Sequence, residues 1–265
     1  MIFAVVACAY PFLGKIRRVS RVYRRQWQLY CGKKAPSGFR HILTFAYTLA
    51  DRLAFRAGYF DTRRIRILSP EHYASLNKLY QSGGGMFCIT SHLGCFDMLR
   101  VMFDCTQKGM KGEIHVFMDK LATLAFSRMQ QQFGSRHLES FVHDVQQLSP
   151  ALSMMMAEKV ENGAMMVMTG DRVWRDDASA NYEQKFLGRS AQFPRGCFRW
   201  AAALSCPVYS FALLENKGYY DLHIDCLSFN GREKAEVLLE RFVENLQQLC
   251  RDYSVNWFNF YNFWK

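Results

Sequence analysis

Gly83-Gly84-Gly85-Met86-Phe87-Cys88-Ile89-Thr90-Ser91-His92-Leu93-Gly94-Cys95-Phe96-Asp97 is the stretch on which the fold turns. The glycine triplet ends whatever helix precedes it. Met86–Thr90 is apolar at nearly every position and has the length of a strand, whereas Phe96–Phe103 suits a helix. A strand that is apolar throughout, with no alternation, is buried on both faces, as in a parallel sheet covered by helices. His92 then falls just past the carboxyl end of a buried strand, the edge at which open α/β sheets place their sites.

The rest of the chain repeats this pattern. Upstream, the helical period of Phe39 to Leu53 predicts a helix over residues 37–57, and Ser69-Pro70-Glu71 predicts another, with Ser69 as N-cap and an acid in the first turn. Downstream, Glu113–Met118 reads as a strand and Leu121–Phe133 as a helix. Ala151–Val160 reads as a helix and Ala164–Thr169 as a second buried strand. A helix over Gly196–Leu204, strands at Val208–Leu214 and Tyr220–Cys226, and a last helix over Gly231–Asp252 complete the order. The expected fold is α/β: a largely parallel sheet flanked by helices over residues 67–265, preceded by a basic helical membrane-associating segment over residues 1–66.

Charge sets that first segment apart. Of the net +11, residues 1–66 hold 14 Lys and Arg against Asp51 and Asp61, a net of +12, and the remainder is close to neutral. Such a segment suits nucleic acid, anionic lipid or an acidic carrier protein, and a solvated helix without a partner is the plain alternative. Met1–Leu13 is apolar but shorter than the roughly 20 residues a membrane crossing takes. It is followed by Lys15, Arg17, Arg18, Arg21, Arg24 and Arg25, interleaved with Ile16, Val19, Val22, Tyr23 and Trp27. This is the composition of a helix lying in a membrane interface, against the alternative of a packed surface helix. Nine scattered cysteines without a C-x-x-C point to a reducing compartment and to no zinc ribbon.

His92 and Asp97 are the candidate catalytic pair. With a helix beginning near Gly94, Asp97 lies in its first turn and can reach back to one ring nitrogen of His92, so that the other acts as general base. That is a serine-type triad without its own nucleophile, and a structural hydrogen-bonded pair is the competing reading. Thr169-Gly170-Asp171-Arg172 occupies the same place after the next buried strand. Asp171 and Arg172 form either an ion pair or a site in which Arg172 binds a phosphate or an oxyanion. The methionines around 154–168 read as core filler, the other histidines lack metal-ligand spacing, and no G-x-S-x-G occurs.

In this order the motifs resemble the lauroyl/myristoyl acyltransferases of lipid A biosynthesis, within the lysophospholipid acyltransferase-like superfamily. Tyr10-Pro11-Phe12-Leu13 through Tyr23 looks like the family's basic entry segment. Gly85 through Asp97 looks like its strand and H-x4-D/E motif, and Phe126-Ser127-Arg128 through Gly134 like its arginine-bearing helix. Gly170-Asp171-Arg172, Phe186-Leu187-Gly188, Phe193-Pro194-Arg195-Gly196 and the aromatic run Trp257–Tyr261 with Trp264 follow in sequence. The GDR form looks closest to the acyltransferases found with aryl-polyene lipid genes. The resemblance implies an acyl-acyl carrier protein donor, a lipid or glycolipid hydroxyl as acceptor, and no metal or other cofactor. It also implies a place at the cytoplasmic face of a bacterial inner membrane, an anionic membrane contact through residues 1–30, and no nucleic-acid partner. His92 and Asp97 become the catalytic positions, and Arg128, Asp171, Arg172 and Arg195 the substrate-binding ones. A thioesterase using His92 to activate water, and a non-catalytic basic binding protein, are the alternatives.

Overall fold

A computed structural model gives the architecture and describes residues 1–95, 98, 113–118, 140–147, 149–173 and 178–264. The helices expected over Phe96–Phe103 and Leu121–Phe133, together with Asp97 and Arg128, lie outside the described residues. Among the described residues, seven strands make one sheet in the order β1-β9-β8-β2-β5-β3-β4, and β6 and β7 form a separate hairpin. The strands are β1 (Ile65–Ile67), β2 (Met86–Thr90), β3 (Ile114–Met118), β4 (Ser140–Asp144), β5 (Met165–Thr169), β6 (Asn181–Phe186), β7 (Arg189–Pro194), β8 (Val208–Asn216) and β9 (Tyr219–Ser228). Five of them, β8, β2, β5, β3 and β4, run parallel to one another. The tight β8–β9 turn reverses the last two, so that β9 is antiparallel to β8 and β1 follows β9.

Among the described residues the α-helices are α1 (Ile2–Ala9), α2 (Gly14–Cys31), α3 (Gly38–Arg56), α4 (Pro70–Gln81), α5 (Pro150–Glu161), α6 (Arg195–Ala203) and α7 (Ala235–Asp252). Alternate residues of the central strands enter two different cores. Phe87, Ile89, Met166 and Met168 face α5, α6 and α7 through Met156, Phe198, Trp200 and Phe242, whereas Met86, Cys88 and Met165 face Leu76 of α4. All five residues of β2 are buried, as its unbroken apolar run requires. Ser69 stands at the head of α4 as expected, but its hydroxyl makes no cap. It accepts from the Ile224 N–H of β9 instead, tying the helix start to the sheet edge.

The N-terminal segment departs from the sequence reading. Tyr23 and Trp27, assigned to a lipid-facing stripe on α2, are only 2% and 6% exposed. The Trp27 indole N–H donates to the Cys250 carbonyl of α7 at 2.7 Å, and Tyr23 stacks on Trp257 at 5.9 Å. That face of α2 is therefore core, and truncating a tryptophan so buried costs about 3–5 kcal/mol. Residue 66 also lies within β1, so the basic segment joins the sheet rather than standing apart from it. None of the described helices is long and apolar enough to cross a membrane.

Candidate functional site

The topology brings the ends of β2 and β5 together. Register pairs Thr90 with Thr169, and the Gly170 N–H continues the ladder to the Thr90 carbonyl at 2.8 Å. Two residues further on, each strand end presents a candidate side chain: His92 after β2 and Asp171 after β5. From β2 the chain crosses to β3 beyond β5, and from β5 it returns to β8 beyond β2. The pair sits where the winding reverses, which is where open α/β sheets hold their ligands.

Asp171 grips His92 twice. Its Oδ1 lies 2.8 Å from the ring Nδ1, and its Oδ2 accepts the His92 main-chain N–H at 2.7 Å. A carboxylate only accepts, so Nδ1 carries the hydrogen and Nε2 is the basic nitrogen of the ring. Asp171 is fully buried, whereas the His92 side chain keeps 16% of its surface exposed. One partner is thus fixed inside the protein and the other reaches the surface. Asp171, which the sequence reading places among the substrate contacts, is thus the acid at Nδ1, while Asp97, expected there, lies outside the described residues.

A strap of C-terminal chain holds the pair. Phe258 N–H donates to the His92 carbonyl at 2.8 Å, Leu93 bridges to Trp257, and Gly94 N–H donates to the Asn256 carbonyl. The Asn259 amide donates to the Asp171 carbonyl at 3.3 Å and to its Oδ2 at 3.4 Å, and the Tyr261 hydroxyl donates to that same carbonyl at 3.2 Å. Arg172 donates to the Asn259 Oδ1 at 3.1 Å and lies over the Tyr261 ring, while its buried Nε–H has no partner among the described residues. Burial, with the Asp171 charge added, raises the Tyr261 hydroxyl above its ordinary range, so it remains a donor at neutral pH. Asn256 and Asn259, each 1% exposed, were not singled out from sequence. Their signal was there all the same: asparagines recurring in the run Asn256-Trp257-Phe258-Asn259-Phe260-Tyr261 have little reason to be buried except to bind main chain.

His41 ties the strap to the N-terminal helices. Its Nε2 lies 2.7 Å from the Trp257 carbonyl and its Nδ1 2.9 Å from the Ser20 hydroxyl. Because a carbonyl only accepts, Nε2 carries the hydrogen and Nδ1 accepts from Ser20. The residue is 1% exposed, and burial lowers its pKa to about 4.

Gly94 sets how closely the loop after β2 approaches β8. Its φ is +79°, and a Cβ there would stand 2.2 Å from the Leu213 carbonyl oxygen. Gly94→Ala is expected to cost several kcal/mol in urea unfolding, from the left-handed backbone and the main-chain collision together. Gly218→Ala, at φ +85° in open space, is the control and is expected to cost only about 1 kcal/mol.

The remaining expected site residue stands elsewhere. Arg195 opens α6, donates to the Ser179 carbonyl at 2.9 Å and stacks over Tyr182 at 4.6 Å. Burial raises the Cys197 and Cys88 thiols above their ordinary range, and pushes Cys206 up to about 12, so none of the three is an activated thiolate. Among the described residues no group of three or more His, Cys, Asp or Glu could hold a metal ion.

Fold and site together define an α/β protein with a surface-reaching histidine, oriented by a buried aspartate, at the reversal point of a mostly parallel sheet. No family model matches the chain, and no curated protein matches it in sequence.

Proposed function

We propose that the protein is an O-acyltransferase that moves a fatty acyl chain from an acyl-acyl carrier protein thioester to a hydroxyl of a lipid or glycolipid. The observation that carries this reading is the His92–Asp171 pair, with Nδ1–H held by a buried carboxylate and the ring at the surface. The order of motifs that resemble the lipid A acyltransferases supports it, and Asp171 is the acid of the Gly170-Asp171-Arg172 block. His92 Nε2 removes the proton of the acceptor hydroxyl as its oxygen attacks the thioester carbonyl. The tetrahedral intermediate collapses with cleavage of the C–S bond, and the leaving thiolate takes the proton back from Nε2. Asp171 keeps the imidazolium oriented and compensates its charge. We assign Arg172, whose Nε–H has no partner among the described residues, to the developing oxyanion. The test is transfer from a labelled acyl-acyl carrier protein into a bacterial membrane-lipid extract. Labelled lipid supports the reading, and label released only as free fatty acid would replace it with a thioesterase.

Membrane contact belongs to α1 and the turn after it. Met1, Phe3, Val5 and Phe12 are 101%, 56%, 62% and 87% exposed, and Lys15, Arg18, Arg21 and Arg25 lie exposed on the helix that follows. Apolar tips beside a basic helix suit the interface of an anionic bilayer. Val5→Asp combined with Phe12→Asp is expected to weaken co-sedimentation with phosphatidylglycerol vesicles about tenfold or more. Unchanged sedimentation would remove α1 from the contact.

A further inference from the structure

A concave site lies against the wall that carries Asp171. Met168 and Thr169, the last residues of β5, form one side of a cavity of about 350 Å³, and the first turns of α6 form the other. Cys197, which also lines it, is close enough for the Asp171 charge to act on its thiol. Among the described residues lining this cavity are two arginines, Arg195 and Arg199, four apart on α6, and no aspartate or glutamate. Thr169, Ser179 and Asn181 add polar groups to the wall.

Three features make this an acceptor of negative charge. The Arg195 Nε–H is buried and has no hydrogen-bond partner among the described residues, although the same guanidinium is held by Ser179 and Tyr182. A buried donor left so is costly unless a ligand satisfies it. The residue before α6 is Pro194, which gives no side-chain cap to the first-turn N–H groups. Gly196 in that turn is exposed, and nothing stands within 4 Å of a Cβ placed on it, so the approach is open. Two cationic heads, a bare helix start and a cavity roomy enough for the ligand are the chemistry that recognises a phosphate.

We propose that this cavity is an anion subsite for a phosphate ester borne by one of the two substrates. The identity of those substrates rests on the acyl-transfer reading: the phosphodiester of the carrier's pantetheine arm on the donor side, or the phosphate of a lipid on the acceptor side. Occupancy of the subsite by a phosphate does not rest on it.

Calorimetric titration of the full chain with 4′-phosphopantetheine and with pantetheine, and separately with dihexanoyl phosphatidic acid, tests the proposal and assigns the source. At least one phosphate-bearing probe is expected to bind, with pantetheine at least tenfold weaker if the donor supplies the phosphate. Arg199→Gln, at an exposed side chain, is expected to weaken the bound probe about tenfold. Gly196→Asp adds a carboxylate at the helix start, where it favours the helix and repels the ligand. It is expected to keep the melting temperature and abolish phosphate binding. Phosphopantetheine and pantetheine binding equally with the lipid probe inert, or phosphate binding that both variants leave untouched, would overturn the subsite. Arginine-dependent phosphate binding in a protein inert in the transfer assay would instead sustain the subsite and sink acyl transfer.

Discussion

His92→Ala is expected to abolish acyl transfer while the protein keeps its fold, and Asp171→Asn is expected to bring transfer down nearly as far. The first half follows from exposure. The His92 side chain reaches the surface, and its loss leaves Asp171 with the His92 main-chain N–H and the Asn259 amide as donors, so the buried carboxylate is not orphaned. Loss of a general base removes about 10²–10⁴-fold in rate. The second half follows from which atoms carry hydrogen. In the native pair Nδ1–H and the main-chain N–H both point at a group that only accepts. An amide at position 171 accepts at one atom and donates at the other, so one of the two contacts becomes donor against donor. The ring escapes by moving its hydrogen to Nε2, which can then no longer act as base. In serine-type triads the equivalent acid-to-amide change costs about 10⁴-fold in kcat with the geometry intact. The readouts are initial rates of label transfer, thermal melting to show that both variants fold, and the pH–rate profile of Asp171→Asn, whose remaining activity should recover only under alkaline conditions. Wild-type rates in Asp171→Asn would mean that the aspartate merely braces the loop.

The two strands that build the site were legible because they obey a simple rule. Met86–Thr90 and Met165–Thr169 are apolar at every position but the last, and a strand of that kind is central in a parallel sheet. What sequence could not supply was their adjacency. His92 and Asp97 lie five residues apart in the chain, whereas His92 and Asp171 meet only because register pairs Thr90 with Thr169. Proximity in sequence points to the nearer acid, Asp97, which lies outside the described residues, and gives no sign that Asp171 meets the same ring. The β6–β7 hairpin was missed for a different reason. Its turn is Leu187-Gly188, with the leucine at φ 49°, a conformation that side chain does not favour. Burial holds it there: Leu187 is fully enclosed, its N–H donates to Gln247 and its carbonyl accepts from Gln26. No local signal announces a turn whose geometry is imposed by its surroundings. Likewise, the period of α2 revealed that one face was apolar but not what would cover it. Tyr23 and Trp27 read equally well against lipid or against α7, and only the fold chooses.

Acid is expected to loosen the protein through His41. The neutral ring is enclosed between Ser20 of α2 and the Trp257 carbonyl of the strap, and burial holds its pKa at about 4 against an ordinary 6.5. A base whose folded pKa lies below its unfolded value contributes stability that is complete above pH 6.5 and is lost as pH falls towards 4. Two and a half pKa units correspond to about 3 kcal/mol, a large share of the stability of a typical domain. Burial lowers His143 as well, in the same direction, so His41 is isolated by comparing slopes. Urea unfolding at intervals from pH 7 to pH 4 should show a steep loss in the native protein and a shallower one in His41→Leu. That variant is less stable at neutral pH, because the Ser20 hydroxyl and the Trp257 carbonyl lose their partner. Equal slopes in the two proteins would rule His41 out as the acid-sensitive link. The consequence for the site is direct. Protonated His41 keeps its bond to the Trp257 carbonyl but opposes the Ser20 hydroxyl, which has to turn its own hydrogen away, and the buried charge favours release of α2 from the strap. The strap also carries Asn259 and Tyr261, which hold Asp171, so transfer activity is expected to fall over the same pH interval as stability and to return on neutralisation.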